Sequence, residues 1–341
     1  MEGNPALARC AGGRKRLRRV DRGWRPAIGV LHETARRKLP GYPQAPGSLF
    51  YPAAVTIVSD VRLELMPSKT RVCAVSYLNT SPLVWGFLHG PQKELVDLNF
   101  RLPSECAELL RTGEVDVGIP PSIELASQSD LVVIPGCSIS CQGPVASVLL
   151  VCRKPIHEVE TLAADTSSRT SVALAQIVLA RKYHRHVKIR PYPPRIAEML
   201  EIADAALIIG DPALRLPSRE RDASDRWVYD LGEEWASLTR LPMVFAVWAV
   251  RRPAADPSLA ALFQASARFG LEHIDDIVAL DAPQRNIPAE LAREYLTKNI
   301  RCSWGEPESR GLSLFLEYAS ELGLAPRKTS FETLDEPAMA V

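Results

Sequence analysis

Apolar positions in this chain gather into short dense runs separated by polar, Gly- or Pro-containing stretches. Val72 to Val75, Val145 to Cys152, Ala206 to Ile209 and Leu241 to Val250 are the clearest runs. A short continuous apolar run bounded by turn residues reads as a strand buried on both faces. Between such runs the apolar residues recur at helical spacing. Pro82 to His89, Glu105 to Arg111 (Ser104 before it, Gly113 after), Val172 to Tyr183 and Ile196 to Ala203 are predicted helices. Further strands are predicted at Glu94 to Phe100, Glu114 to Ile119, Leu131 to Pro135 and Trp227 to Asp230. A short helix is expected to follow Pro120-Pro121-Ser122 through Ala126, and another to cover Leu231 to Ser237. Beyond Val250 only helices are expected, at Leu259 to Phe269, Ile274 to Leu280, Pro288 to Thr297 and Gly311 to Leu322. The tail after Lys328 reads as frayed.

Alternation of strands and helices predicts an α/β protein. The two long apolar runs flank the segment from Ile156 to Leu241, as if the chain crossed into a second lobe and returned. The expectation is two lobes joined by two hinge crossings, with a cleft between them. Lobe 1 would comprise 69–154 and 251–328, and lobe 2 would comprise 155–250. Residues 1–68 would be a leader and 329–341 a tail.

Composition changes this picture only at its margins. The chain of 341 residues has a formal net charge of +1, so no overall field points to nucleic acid. Its seven cysteines are scattered and match no zinc spacing, which suits free thiols in a reducing cytoplasm. No apolar run approaches membrane-spanning length. The first forty residues concentrate Arg and Lys with little apolar periodicity, and cannot fold alone. A basic nucleic-acid arm and a secretory signal are two readings of them. The expected one is a leader with translation beginning at Met66.

The candidate chemistry lies at strand ends. The loop Ser76 to Thr80 joins a strand to a helix whose first turn holds Pro82, with Ser81 as the expected cap. Such a loop is where open α/β sheets bind ligands, and a helix N-terminus favours anions. Asn79 brings an amide there, either for a ligand or for its own turn. Ser147 interrupts an apolar run and needs a partner, backbone or ligand. Asp165 to Ser171 is crowded with hydroxyls just before a helix, with Thr170 or Ser171 as the expected cap of an anion cradle. Asp211, at the end of a strand, either faces the crevice or caps the turn at Pro212. Cys137 and Cys141 read as a metal or redox pair or as small residues beside a cleft. His184 and His186 sit in a basic cluster read as a solvated face. No metal or nucleotide motif is present, so no cofactor is expected.

Six segments occur in an order that identifies a family resemblance. They are Ser76-Tyr-Leu-Asn-Thr-Ser-Pro-Leu83, Pro121-Ser-Ile-Glu124, Gly143-Pro-Val-Ala-Ser-Val-Leu-Leu150, Asp165-Thr-Ser-Ser-Arg-Thr-Ser171, Ile209-Gly-Asp211 and Leu241-Pro-Met-Val-Phe-Ala-Val-Trp248. Together they resemble the chorismate dehydratase family of the futalosine route to menaquinone, from about Arg71 to about Leu324. The resemblance implies a two-lobed type II periplasmic-binding-protein-like fold and a cytoplasmic hydro-lyase acting on chorismate. For that chemistry, Asn79 and Ser147 are the expected catalytic residues. Tyr77, Leu78, Thr80, Ser81, Ser122, Gly143, Thr170, Ser171 and Asp211 are the expected substrate contacts. No nucleic-acid or membrane partner is implied, and oligomeric state is left open. A naphthoate-forming sister enzyme of that route is the alternative, and its opening loop differs from Tyr77-Leu-Asn-Thr80 here. A non-catalytic solute-binding protein of the same fold is another. A ligand-sensing regulator would need a helix-turn-helix, for which the leader lacks the apolar spacing.

Overall fold

The structure is a computed structural model that describes residues 69–217, 225–327 and 330–334. The proposed leader, with its start at Met66, lies outside the described residues, as does the tail from 335. The described strands form two sheets. The first has the order β11-β4-β10-β3-β1-β2. Its members are β1 (Thr70–Val75), β2 (Val96–Arg101), β3 (Val117–Gly118), β4 (Leu131–Cys141), β10 (Met243–Arg251) and β11 (Glu332–Thr333). The second has the order β7-β6-β8-β5-β9. It contains β5 (Val148–Cys152), β6 (Thr161–Ala164), β7 (Lys188–Pro191), β8 (Ala205–Ile209) and β9 (Trp227–Asp230).

In each sheet one of the long apolar runs lies antiparallel among the others. β10 runs antiparallel to both β3 and β4. β5 runs antiparallel to both β8 and β9. This corrects the proposed lobe boundaries. β5 was expected to close lobe 1, and it belongs to the second sheet. β10 was expected to close lobe 2, and it belongs to the first. The crossings are therefore the short connections around 142–147 and 240–242, and each apolar run is an arrival strand. Apolar density marks burial on both faces, and it carries no information about which sheet buries the strand.

Other differences have local causes. β4 continues past Pro135 to Cys141, because its pairing with β10 is irregular between Val133 and Ser138, and the bulge accommodates a residue without an N–H. β6 and β7 were not expected. β6 is four residues of Thr, Leu and Ala, and β7 is an exposed polar edge strand ending in Pro191. β11 contradicts the all-helical C-terminal expectation. It pairs in parallel with Val132 and Val133, and Glu332 meets the Arg252 guanidinium at 2.5 and 2.8 Å.

Two helices fix the end of the first sheet at the loop after β1. α1 (Ser81–His89) packs on the helix Ser258–Glu272 at very short range. A Cβ at Gly270 would stand 2.0 Å from the Pro82 carbonyl oxygen, so only glycine lets the backbones approach this closely. Ser266 Oγ donates to the Leu83 carbonyl at 2.9 Å across the same contact.

In the second sheet the Asp204 carboxylate ties the start of β6 to the chain entering β8. It accepts from the N–H groups of Glu160 and Thr161 at 3.0 and 2.9 Å, and from the Thr161 hydroxyl at 2.9 Å. Lys154 Nζ lies 3.0 Å from its other oxygen. Burial acts to raise this carboxyl's pKa, but the donors outweigh it and hold the group at about 2.

Two outcomes follow from these contacts. Gly270→Ala should cost about 2 kcal/mol or more of stability, because the clash is with backbone that cannot yield cheaply; urea denaturation measures it. A carboxyl held below its unfolded value stabilises the fold above the ordinary carboxylate pKa, and that contribution is lost as pH falls through about 2. Asp204→Ala should therefore cost about 2 kcal/mol at pH 7, with the gap to the native protein closing as denaturation is repeated toward pH 2.

Candidate active site

The cleft between the sheets holds about 470 Å³ of open space. Its walls are mostly apolar, including Val75, Ile139, Phe245 and Ile300. The polar side chains that face it are Tyr77, Asn79, Ser147, Ser168 and Ser171. Among the described lining residues none carries a carboxyl, an amine, an imidazole or a guanidinium.

Asn79 lies in a 3-10 turn, Leu78–Thr80, between β1 and α1. The Thr80 hydroxyl donates to Asn79 Oδ1 at 3.3 Å. The turn itself is held from outside. The Leu78 N–H donates to Asp211 Oδ1 at 2.9 Å, and Arg285 Nη1 donates to the Ser76 carbonyl at 2.6 Å. Arg285 also lies 3.0 Å from Asp211 and 3.0 Å from Asp281. Burial works against its charge, but the two carboxylates outweigh burial and raise its pKa.

Ser147 follows the crossing from β4 to β5. Its carbonyl accepts from the Gly210 N–H at 2.8 Å, and its Oγ accepts from the Tyr295 hydroxyl at 2.8 Å. The neighbouring N–H groups of Val145 and Ala146 donate to the Asp230 carboxylate at 2.9 and 2.6 Å. Ala146 adopts φ 61, a left-handed conformation costly for a residue with a Cβ. Gly210, also at φ 61, lies under the Tyr77 ring, where a Cβ would stand 2.8 Å from it. Tyr77 reaches the Ser167 hydroxyl at 3.2 Å. Burial pushes its phenol up to about 12, against the Ser167 hydrogen bond, so it stays protonated and can donate.

The hydroxyl-rich loop ends at α4 (Arg169–Tyr183), whose cap is Ser168. Thr170 and Ser171 were expected to cap it, and both are inside the helix. The Ser168 hydroxyl accepts from the Ser171 N–H at 3.4 Å and lies 3.1 Å from the Ser171 hydroxyl. This end of α4, with both serines on the cleft, suits a carboxylate.

Of the residues expected in catalysis or at the substrate, the structure brings Tyr77, Asn79, Ser147 and Ser171 to the cleft. The others are committed elsewhere. Asp211 faces Leu78 and Arg285. Ser81 is inside α1, where it was expected as its cap, and its hydroxyl donates to Asp281. Ser122 donates to the Val244 carbonyl at 2.7 Å and lies 3.3 Å from Thr170, which accepts from the Ile123 N–H at 3.1 Å. These two therefore fasten one side of the cleft to the other. Leu78 is buried, Thr80 serves Asn79, and Gly143 turns the crossing at φ 111. Reading the sequence missed Ser168 as a cleft residue, although it stands in the same serine-rich loop, and it missed Tyr295 altogether.

Cys137 and Cys141 are buried free thiols, and burial raises both pKa values, that of Cys137 to about 12. Among the described residues no group of three His, Cys, Asp or Glu side chains is placed to hold a metal ion, and no helix is long and apolar enough to cross a membrane.

Two lobes around a cleft lined by loops at strand ends define the class: a periplasmic-binding-protein-like α/β fold. A protein of Archaeoglobus fulgidus shares it with a TM-score of 0.59 at 17% identity, covering 75% of this chain and 98% of that one. The periplasmic aliphatic sulphonate binding protein SsuA of Escherichia coli does so with a TM-score of 0.55 at 17% identity, covering 77% and 95%. Within that class, the family described as menaquinone biosynthesis matches residues 70–321, and the chain belongs to it. A chorismate dehydratase of Thermus thermophilus is 31% identical over 274 residues, which is 73% of this chain and 94% of the relative.

Asp211→Ala should leave the Leu78 N–H without its acceptor and remove one of the two carboxylates beside Arg285. The expected loss is on the order of 3 kcal/mol of stability, read by denaturant titration, with Asp211→Asn losing less because its amide oxygen still accepts from Leu78.

Proposed function

We infer that this protein is a chorismate dehydratase. It removes water from chorismate to give 3-[(1-carboxyvinyl)oxy]benzoate for menaquinone biosynthesis. The hydrogen on the ether-bearing ring carbon leaves together with the neighbouring hydroxyl, and the ring becomes aromatic. That proton is vinylogous to the ring carboxylate, so charge delocalises onto the carboxylate as the proton departs. What supports this reading is a family match over most of the chain together with a cleft that offers hydroxyls, an amide and a helix end to a dianionic ring.

A neutral cleft supplies no strong base, so the substrate provides it. The enolpyruvyl carboxylate takes the ring proton and passes it to the departing hydroxyl, which leaves as water. Proximity within one molecule replaces a positioned side-chain base. The capped end of α4 holds one carboxylate. Asn79, an amide with no useful basicity at neutral pH, orients the reacting ring and stabilises developing charge together with Ser147. The place of this step in the futalosine route, and in the cytoplasm, belongs to the same proposal.

Incubation with chorismate in the presence of a chelator should yield a product with an aromatic ultraviolet spectrum. Asn79→Ala should bind chorismate with little change and lose turnover by about 100-fold or more, the scale for removing one preorganised donor. Binding without any spectral change in the native protein would instead indicate a solute-binding protein, and full turnover in Asn79→Ala with turnover abolished in Asp211→Asn would move the chemistry away from Asn79.

A further inference from the structure

Tyr295 is a fully buried tyrosine against Ser147, one of the two side chains assigned to the chemistry. Its O–H donates to Ser147 Oγ at 2.8 Å. Burial raises the phenol's pKa, against hydrogen bonding with the side chains of Ser147 and Asn79, which lowers it. A hydroxyl that donates to Ser147 leaves the Ser147 proton free to point elsewhere, and Ser147 lines the cleft. The backbone around Tyr295 is also unusual. It opens a single π-helical turn, Tyr295–Asn299, where a helix following Glu294 would otherwise continue. Such turns insert one residue and re-aim the side chains around them, often at functional sites. At the far end of this turn, Asn299 Nδ2 donates to the Pro144 carbonyl at 3.0 Å, in the same crossing that carries Ser147. Arg301 and Ser140 then exchange backbone hydrogen bonds at 2.8 and 3.0 Å. The segment thus grips the crossing at both Pro144 and Ser147.

We propose that Tyr295 is a positioning residue for the dehydration, binding Asn79 and Ser147 into one hydrogen-bonded unit and turning the Ser147 hydroxyl proton toward the substrate. It does not touch the reacting atoms and acts through its two neighbours. This inference rests on the chorismate reading. Its signature is a loss in kcat without a matching loss in substrate affinity, because the groups that hold the carboxylates are elsewhere. Groups acting as a unit also respond non-additively when removed together.

The test compares the native protein, Tyr295→Phe, Ser147→Ala and the double variant on chorismate. Tyr295→Phe should lower kcat by about 10- to 100-fold, the scale of a misplaced reacting group, and leave KM within about threefold. Its thermal midpoint should fall by no more than a few degrees. The double variant should turn over within about threefold of the slower single variant. If Tyr295→Phe alone does not fold, the double variant, which leaves no hydroxyl at Ser147 to pair, is compared with Ser147→Ala by the same criterion. A native protein that makes no aromatic product overturns the reaction and this inference with it. Native turnover with an undiminished kcat in Tyr295→Phe, a change confined to KM, or losses that multiply in the double variant each overturn the inference alone.

Discussion

The site depends on one half-buried cation. Arg285 stands between Asp211, at the start of the turn after β8, and Asp281, at the end of the helix Ile274–Leu280, and it donates to the Ser76 carbonyl. Partly burying three charges is costly, and their mutual attraction returns little net stability. The return is geometric. The 3-10 turn that carries Asn79 has too few residues to hold its own shape, and it borrows rigidity from a carboxylate on one side of the cleft and a guanidinium on the other. Leu78 N–H to Asp211 is a contact between parts of the molecule that belong to different sheets. The turn that carries Asn79 is therefore held by contacts from both lobes, and separating them would remove the Leu78 acceptor.

That arrangement explains how a dianion is bound without a facing positive charge. Arg285 is close by, yet it does not line the cleft: its Nη1 donates to the Ser76 carbonyl and Asp211, and its Nε lies 3.0 Å from Asp281. A cation in the cleft would bind chorismate tightly and hold its carboxylates in their resting charge state. Binding the ground state as strongly as the transition state adds nothing to the rate of the chemical step. In the proposed mechanism, neutral donors at the end of α4 and at Tyr77, Asn79 and Ser147 leave the enolpyruvyl carboxylate basic enough to take a proton. Tyr77, with its phenol pushed up to about 12, remains a donor throughout.

The sequence made the main parts of this legible and hid the rest for definite reasons. β1, β5, β8 and β10 were visible because buried strands need uninterrupted apolar residues, and α1 and α4 because their periodicity and flanking Pro and Ser residues are unambiguous. Sheet membership was not visible, because an apolar run looks the same in either sheet, and this exchanged β5 and β10 between lobes. β6, β7 and β11 are too short or too polar to stand out. The loops were found by their position at strand ends, but which hydroxyl of Ser167, Ser168, Thr170 and Ser171 meets the cleft is decided by where α4 begins, within one residue. Tyr295 has the sequence context of any core aromatic on an amphipathic helix. Only the π-helical turn and the path of the crossing segment bring it against Ser147.

Ser147 itself sits where a hinge protein is under most constraint. The crossing is held from the second sheet by Asp230, whose carboxylate accepts from Val145, Ala146, Gly232 and Glu233. From the other direction it is held by Tyr295 and Asn299. Between these grips Ala146 is kept at φ 61, a strained conformation that persists only where the surroundings over-determine it. A swing of one lobe against the other would have to be absorbed in this stretch or in its counterpart near Leu241. The Leu78–Asp211 contact joins parts that belong to different sheets, and the Tyr295–Ser147 contact fixes the crossing itself, so the strained Ala146 stands beside a residue held in place from both directions.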